Sequence, residues 1–249
     1  MIRFFVEPED IGSSSIQLKP EDEAHIRSLR LRPSERFSVC DGKGFDYICM
    51  LGEKSAASTA QIVEKRLSAG EPSLRCSVYL AYAKGERLEY AVQKSVELGA
   101  YEIILFPCAR CIAIPSEAHK KISRLQRISS ETAKQSHRGR VPAVKAMKSF
   151  QNAIDQAGKA DISLFFYECE NKQTLKSALE RSPQAIPDET GGVGAISIVT
   201  GPEGGFEPYE ADAARAAGLN SVSLGPRILR CETAPAAALS AIMFYFNEF

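Results

Sequence analysis

The chain has 249 residues, of which 44% are hydrophobic and 25% charged, and its 31 basic and 31 acidic side chains give a formal net charge of zero. This composition is ordinary for a globular protein, and the length is sufficient for one large domain or two modest ones. The neutral balance excludes a protein that coats nucleic acid indiscriminately, although local basic faces remain compatible with it.

The sequence contains no segment that we expect to enter or cross a membrane. No apolar run reaches the length of a transmembrane helix, and Met1 to Val6 lack the features of a signal peptide. We therefore expect a cytoplasmic protein whose seven cysteines are reduced. Cys108 and Cys111 form a C-x-x-C pair without the further ligands of a zinc site. A redox pair stays open, but two unreactive thiols beyond a strand end are the favoured interpretation.

The first 70 residues are predicted to form short strands joined by turns. Strands are predicted at 1–6, 36–40, 45–51 and 60–67. A short helix is predicted at 20–29, where Pro20 and acidic residues mark its start. The pattern fits a small barrel-like domain over residues 1–70, and the Gly- and Pro-bearing segment 68–73 is the predicted linker.

Strands and helices alternate over residues 74–249. The predicted strands are 74–83, 101–106, 162–167, 195–200 and 221–224, and the predicted helices are 86–98, 116–136, 172–181, 208–217 and 233–246. Such alternation implies a mostly parallel sheet with helices on both faces. Residues 183–194 are predicted as a loop, and Thr233 as the N-cap of the last helix. The apolar end, 239–249, suits core packing and a dimer interface equally well.

Two glycine-bearing segments, 198–206 and 223–235, each follow a predicted strand and precede a predicted helix. Glycine lets the backbone approach a ligand where a side chain would clash, and turns at the ends of parallel strands form ligand crevices. We therefore predict a small-molecule site there. The dinucleotide fingerprint, the P-loop and the nucleophile elbow of serine hydrolases are all missing, and no metal-ligand constellation is present.

These segments resemble the SPOUT class of RNA methyltransferases, and more narrowly its RsmE type. Five stretches carry the resemblance in the family's order: His25–Pro33, Lys84–Gly99, Glu131–Pro142, Gly201-Pro-Glu-Gly-Gly205 and Leu224–Ala234. Small departures are Ser34 in place of a common glycine, Cys231 in place of a common threonine, and Pro235 within an alanine pair. The last two leave open which side chain near Arg230 touches the ligand.

The resemblance implies an α/β protein with two domains. Residues 1–70 would form a PUA-like RNA-binding β-barrel, and residues 74–249 a parallel-sheet domain with a deep trefoil knot. The implied activity is methylation of N3 of a specific uridine in 16S ribosomal RNA of the small subunit, with S-adenosylmethionine (SAM) as cofactor. The implied active unit is a homodimer, with no metal and no membrane association.

The resemblance also assigns site residues. Backbone groups of the two glycine segments would hold SAM, with apolar walls for its adenine; the residues are Thr200, Gly201, Pro202, Glu203, Gly204, Gly205, Leu224, Gly225, Ile228, Leu229 and Arg230. RNA would be contacted by His25, Arg27, Arg30, Arg32, Arg138 and Arg140.

Uracil N3 carries a proton at neutral pH, and its loss spreads negative charge over O2 and O4. An arginine suits this charge because it is a planar, permanent cation with several donors. The candidates are Arg138 and Arg230, and Arg227 is a weaker third candidate. A phosphate contact or a structural ion pair is an equally good interpretation of each arginine. Glu203 and Glu232 are candidate bases, although helix-end acceptors are favoured, and His137 suits RNA contact or a surface position better than proton transfer.

Three other functions stay open at this point. A related enzyme of the same fold would methylate a ribose 2′-hydroxyl or another base. A non-catalytic RNA-binding module would carry a degenerate cofactor pocket. An unrelated enzyme would capture phosphate in the glycine turns and bind nucleotides instead of SAM.

Overall fold

The structure is a computed structural model that describes residues 3–51, 59–112, 114, 117–182 and 194–249. The chain divides into two compact units. The first comprises Met1–Glu71 and Ala133–Val141, and the second Pro72–Thr132 and Pro142–Phe249. The division after Glu71 falls within the predicted linker, whereas the sequence pattern did not separate Ala133–Val141 from its surroundings.

The first unit contains a curled five-stranded sheet that forms a half-barrel. Its strands are β1 (Arg3–Phe5), β2 (Ser15–Gln17), β3 (Arg36–Cys40), β4 (Phe45–Leu51) and β5 (Thr59–Leu67), in the order β1-β3-β4-β5-β2. The β1–β3 pair is parallel and the other pairs are antiparallel. Helix α1 (Pro20–Ser28) begins with Pro20 and three acidic residues, which favour a helix N-terminus. Its Ile26 packs with Phe37 and Val39 in the core of this unit.

The second unit contains a six-stranded, fully parallel sheet, as the alternation predicted. The strands are β6 (Arg75–Ala81), β7 (Glu102–Phe106), β8 (Ala143–Ala146), β9 (Ile162–Phe166), β10 (Ala195–Thr200) and β11 (Asn220–Val222), in the order β11-β9-β10-β6-β7-β8. The helices are α2 (Glu86–Glu97), α3 (Ala118–Gln135), α4 (Phe150–Ala157), α5 (Leu175–Arg181), α6 (Pro208–Ala216) and α7 (Thr233–Tyr245).

The order of the strands determines which loops meet. Strands β9 and β10 are buried, nearly continuous apolar runs, which is typical of central parallel strands. Because β9 lies between β10 and β11, the segments that follow these three strands emerge side by side at the carboxyl edge of the sheet. Beneath this edge, Phe165 and Phe206 pack with ring centroids 4.4 Å apart.

Several elements differ from the predictions. Strand β8 and helix α4 occupy 143–157, where no element was predicted. The N-cap of α7 is Glu232, so the prediction of Thr233 was wrong by one residue; the N–H groups of Thr233 and Ala234 both donate to the carbonyl of Arg230. The loop predicted at 183–194 lies outside the described residues except for Gly194. Among the described helices, none combines the length and apolar character needed to cross a membrane.

Candidate functional site

A cavity of about 600 Å³ opens in the second unit where β9, β10 and β11 end. All the residues predicted to bind the cofactor line it, in the segments 200–205, 224–225 and 228–230. Sequence reasoning did not include the wall contributed by Phe166, Tyr167 and Glu168. These residues lie at the carboxyl end of the strand predicted at 162–167, which could have indicated a position at the cavity. They were not selected because no glycine motif follows that strand.

The first glycine segment turns tightly after β10. The N–H of Gly205 donates to the carbonyl of Pro202 at 3.0 Å, and Gly205 has φ of +68°. A β-carbon on Gly201 would lie 3.0 Å from the ring of Phe206. The positive φ of Gly205 and the lack of space beside Gly201 both disfavour larger residues. The cavity is therefore lined here by the backbone of the segment.

The second glycine segment follows β11. The N–H of Gly225 donates to Oγ of Ser223 at 3.1 Å, and Gly225 has φ of +105°. Leu224 and Leu229 are half-buried, and Ile228 is 77% exposed. These three side chains give the cavity an apolar wall on this side. An exposed apolar side chain of this size at a cavity is suited to contact a flat apolar ligand group.

Glu203 joins the first glycine segment to the N-terminal end of α2. Its Oε1 accepts the N–H of Lys84 at 2.9 Å and a guanidinium N–H of Arg87 at 3.1 Å. Partial burial opposes ionisation of Glu203, but these hydrogen bonds outweigh it and hold the pKa of the carboxyl below its usual value. A carboxylate with a lowered pKa is a weak base, so the geometry favours the structural role for Glu203 over proton abstraction.

Glu168 and Arg110 hold the same segment from the other side. Oε1 of Glu168 accepts the N–H of Phe206 at 3.1 Å. Arg110 donates to the carbonyl of Gly204 at 2.7 Å and to Oε1 of Glu207 at 2.9 Å. Ion pairing with Glu207 raises the pKa of Arg110 and lowers that of Glu207. The tip of the glycine segment is therefore fixed by hydrogen bonds from outside as well as by its own turn.

The cavity presents balanced charge. Among its lining residues are three arginines and three glutamates, namely Arg87, Arg227, Arg230, Glu168, Glu203 and Glu232. A polyphosphate would face three carboxylates at close range, whereas a ligand with both charges finds partners for each. This equal number of positive and negative groups suits a zwitterionic small molecule.

Cys231 lies at the cavity between the second glycine segment and α7. Its Sγ donates to Oε2 of Glu232 at 3.2 Å. Burial, with this hydrogen bond, raises the pKa of the Cys231 thiol to about 12. A raised pKa keeps the thiol protonated at neutral pH, which disfavours it as a nucleophile.

The two arginines predicted for catalysis lie in different units. Arg230 is exposed at the cavity, close to Arg227. Arg138 lies in the first unit and is only 2% exposed, next to His137. The structure thus brings Arg230 to the predicted cofactor residues of the second unit, and the catalytic role of Arg138 stays a prediction.

Arg138 is held by a carboxylate within its own unit. Glu71 accepts from the Arg138 guanidinium at 2.7 and 3.1 Å and from the N–H groups of Gly139 and Arg140 at 2.8 and 2.9 Å. The Arg140 guanidinium donates to the carbonyl of Lys43 at 2.9 Å. These contacts fit the structural ion pair that was left open for Arg138, and RNA binding by Arg138 and Arg140 stays a prediction.

The other residues predicted to bind RNA cluster around the end of α1 in the first unit. Arg27 pairs with Glu23 at 3.1 Å on the exposed face of the helix. His25, Arg30 and Arg32 are exposed close by in the chain. This is the arrangement that phosphate contacts need, and their role stays a prediction. Throughout the described ranges, no group of three or more potential ligands could hold a metal ion.

Comparison with known proteins gives consistent matches. Residues 70–243 match the family model described as "RNA methyltransferase domain". The chain is 32% identical to Ribosomal RNA small subunit methyltransferase E of Bacillus subtilis (strain 168), over 98% of this chain and 96% of that protein. It is 34% identical to the protein of the same name from Synechocystis, over 96% of this chain and 76% of that protein.

Solved structures agree over nearly the full length. The crystal structure of a Ribosomal RNA small subunit methyltransferase E from Neisseria gonorrhoeae bound to SAM has a TM-score of 0.78 and 30% identity, covering 99% of this chain and 98% of that one. A putative methyltransferase from Legionella pneumophila in complex with SAM has a TM-score of 0.76 and 25% identity, covering 98% and 97%.

Proposed function

The chain belongs to the RNA methyltransferase family that includes Ribosomal RNA small subunit methyltransferase E, and from this premise we propose that it methylates ribosomal RNA of the small subunit with SAM. The observation that carries the proposal is the cavity, whose walls include every residue predicted to hold the cofactor. Its volume of about 600 Å³ lies within the range of small-molecule sites.

The residues present fit SAM. The cofactor carries a carboxylate, an ammonium and a sulfonium, and charged groups of both signs line the cavity, where Glu203 is already paired with Arg87. Leu224, Ile228 and Leu229 supply an apolar wall for adenine. The positive φ angles of Gly205 and Gly225 turn backbone rather than side chains toward the ligand. When bound, SAM supplies an activated methyl group on its sulfonium.

The finer proposal is methylation at N3 of a uridine in 16S ribosomal RNA. Arg230 is the residue of the second unit that we propose to bind the uracil, with its guanidinium donating to O2 or O4 as N3 loses its proton. Arg230 is suited to this role because it is exposed at the cavity and its backbone is anchored at the start of α7. Since pairing hides N3, the target uridine must be unpaired or flipped out.

The proposal includes the family's architecture. The second unit would carry a trefoil knot through its glycine segments, the first would serve as a PUA-like RNA-binding domain, and two copies would form a homodimer. Exposed aromatic side chains at the C-terminal end, Phe244, Tyr245 and Phe249, support the dimer because each is a large apolar group left in solvent on α7 or just beyond it. Because the proposed substrate is ribosomal RNA, we also propose that the protein is located in the cytoplasm.

Transfer of tritium from labelled SAM to small subunits that lack the modification tests the function. We expect label in 16S RNA, and nucleoside mass spectrometry should identify 3-methyluridine. Label on a ribose 2′-hydroxyl or on another base would replace the finer proposal with a sister reaction. SAM binding by calorimetry without transfer to any RNA would contradict an enzymatic role. Nucleotide binding in the absence of SAM binding would indicate a phosphate site instead.

A further inference from the structure

Cys108 and Cys111 lie at the two ends of a tight turn that follows β7. The N–H of Cys111 donates to the carbonyl of Cys108 at 3.1 Å, and the two Sγ atoms are 3.3 Å apart. Tight turns bring the first and fourth Cα atoms within about 7 Å, which is close to the range that a disulfide spans. The backbone therefore already holds both sulfurs where a bond between them can form.

The two thiols of this turn are not equivalent. Cys108 is 8% exposed within the core of the second unit, whereas Cys111 is half-buried. Sγ of Cys111 accepts the N–H of Cys108 at 3.3 Å, and the two thiols share a hydrogen bond at the same distance. That thiol–thiol hydrogen bond is the main cause that lowers the pKa of Cys111 and raises that of Cys108. Cys111 is thus the more accessible and more nucleophilic sulfur, and Cys108 the resolving one.

The same turn holds the glycine segment of the cavity. Its two central residues, Ala109 and Arg110, both contact the segment or the helix after it. The N–H of Ala109 donates to Oε1 of Glu210 at 2.9 Å, and Arg110 donates to the carbonyl of Gly204 at 2.7 Å. A change in the conformation of the turn therefore reaches the backbone that we propose to hold SAM.

We propose that Cys108 and Cys111 are a thiol–disulfide exchange site for small disulfides such as glutathione disulfide, and that closing this disulfide weakens ligand binding in the adjacent cavity. The second half rests on the proposed function, whereas the exchange chemistry stands independently of it. Nothing in the family resemblance assigns a role to this pair.

The reaction balances in two exchange steps. The Cys111 thiolate attacks one sulfur of glutathione disulfide and expels one glutathione thiolate, which leaves a mixed disulfide on Cys111. The Cys108 thiol gives up its proton to the solvent and attacks Sγ of Cys111, which expels the second glutathione thiolate. Two cysteine thiols are oxidised to one disulfide while one glutathione disulfide is reduced to two glutathione molecules.

We expect closing the bond to shift the turn. A disulfide requires the sulfurs to lie about 2.05 Å apart, compared with 3.3 Å in the dithiol. The bond also removes the thiol–thiol hydrogen bond and constrains both side chains. Because Arg110 is part of the turn, we expect its hydrogen bond to Gly204 to lengthen and the affinity for SAM to fall roughly threefold to tenfold.

The experiment incubates the full-length protein with glutathione disulfide and with dithiothreitol. Cleavage at glutamate yields the peptide 103–117, which contains only these two cysteines. We expect this peptide to lose two hydrogen masses after oxidation and to regain them on reduction. Cys76, which is fully buried with a pKa raised by burial to about 12, is an internal control that should stay unmodified. SAM affinity is then measured by calorimetry on both forms.

Matched variants separate the two halves of the proposal. Cys108→Ser/Cys111→Ser should bind SAM with an affinity that glutathione disulfide does not change, and Cys111→Ser alone serves the same purpose should the double variant fail to fold. An unchanged mass of peptide 103–117 overturns the exchange site. A disulfide in the peptide with unaltered affinity, or an equal loss of affinity in the variant, overturns the coupling to the cavity. Absence of SAM binding in the reduced protein contradicts the proposed function and leaves the mass result to decide the exchange site.

Discussion

The carboxylate of Glu168 occupies the space in which a β-carbon on Gly205 would lie. Such a carbon would stand 1.8 Å from Oε1 of Glu168, the oxygen that accepts the N–H of Phe206. A side chain at position 205 would therefore require the Glu168 carboxylate to move away from the N–H of Phe206. This contact links two segments that are more than thirty residues apart in the sequence.

Replacing Gly205 with alanine should abolish most SAM binding. The added carbon displaces the Glu168 carboxylate from the N–H of Phe206, and the φ of +68° is unfavourable for alanine, so the unfolding free energy should also fall by about 1–3 kcal/mol. Calorimetry and urea denaturation measure the two effects. Gly218→Ala is the matched control, because Gly218 has φ of +88° but no atom within 4 Å of the added carbon. Equal SAM affinities of the two variants would contradict this account.

Replacing Arg230 with alanine should lower turnover far more than it lowers SAM affinity. We propose that its guanidinium stabilises charge on the uracil, and removing one such donor costs about 100-fold or more in rate. Single-turnover methyl transfer and calorimetry separate the two quantities. Arg181→Ala, an exposed arginine of α5 away from the cavity, should leave both unchanged. A wild-type rate for Arg230→Ala would remove this residue from catalysis.

Glu203 should make stability depend on pH in the acid range. Its hydrogen bonds from Lys84 and Arg87 outweigh burial and lower its folded pKa below the ordinary value of 4.5. A lowered folded pKa stabilises the protein above the unfolded pKa, and the stabilisation is lost as the pH falls through the folded value. The difference in unfolding free energy between wild type and Glu203→Gln should therefore be present at pH 7 and vanish at the acid end of a urea titration series. A difference that grows toward low pH would refute this assignment.

Breaking the buried pair between Glu71 and Arg138 should destabilise the protein. Arg138 is 2% exposed, so Glu71→Ala removes the carboxylate that accepts two of its guanidinium hydrogen bonds in a buried site, which costs about 3–5 kcal/mol. Urea denaturation followed by circular dichroism measures the loss. Glu64→Ala, at an exposed position on β5 of the same unit, is the control. If Glu71→Ala proved as stable as Glu64→Ala, the ion pair would have no structural role and Arg138 would be open to a contact with RNA.

Replacing Arg30 with glutamine should weaken RNA binding in a salt-dependent way. Arg30 is exposed and lies beyond the end of α1. Loss of one phosphate contact reduces the slope of log affinity against log salt by about one. Filter binding of 16S RNA over a salt series measures the slope. Arg66→Gln, an exposed arginine of β5, tests whether any lost charge has the same effect. Identical slopes for wild type and Arg30→Gln would exclude the contact.

Much of the second unit was predictable because its signals are local. The strands at 195–200 and 102–106 are short apolar runs, and the helix at 86–97 has an apolar face that ends at Gly99, where φ is +94°. Strand β8 was missed because Ala143–Ala146 is short and half-exposed, so it lacks a clear apolar pattern and is stabilised by pairing with β7.

The fold of the first unit was less accessible. Strand β2 has only three residues and exists through its pairing with β5. The segment Ala133–Val141 begins in the last turn of α3, yet it belongs to the first unit because Glu71 binds Arg138 and two backbone N–H groups beside it. No local pattern encodes such a long-range contact.

The sequence of the two glycine segments was sufficient to locate the cavity. The positive φ that Gly205 and Gly225 adopt is a property of the local backbone and therefore leaves a local signal in the sequence. Tertiary structure alone decided what completes it. Insertion of β9 between β10 and β11 brings Glu168 to the cavity, and the turn at Cys108 brings Arg110 to Gly204. These contacts depend on strand order and on burial. Both result from packing between segments that are distant in the sequence, so the sequence of one segment does not predict them.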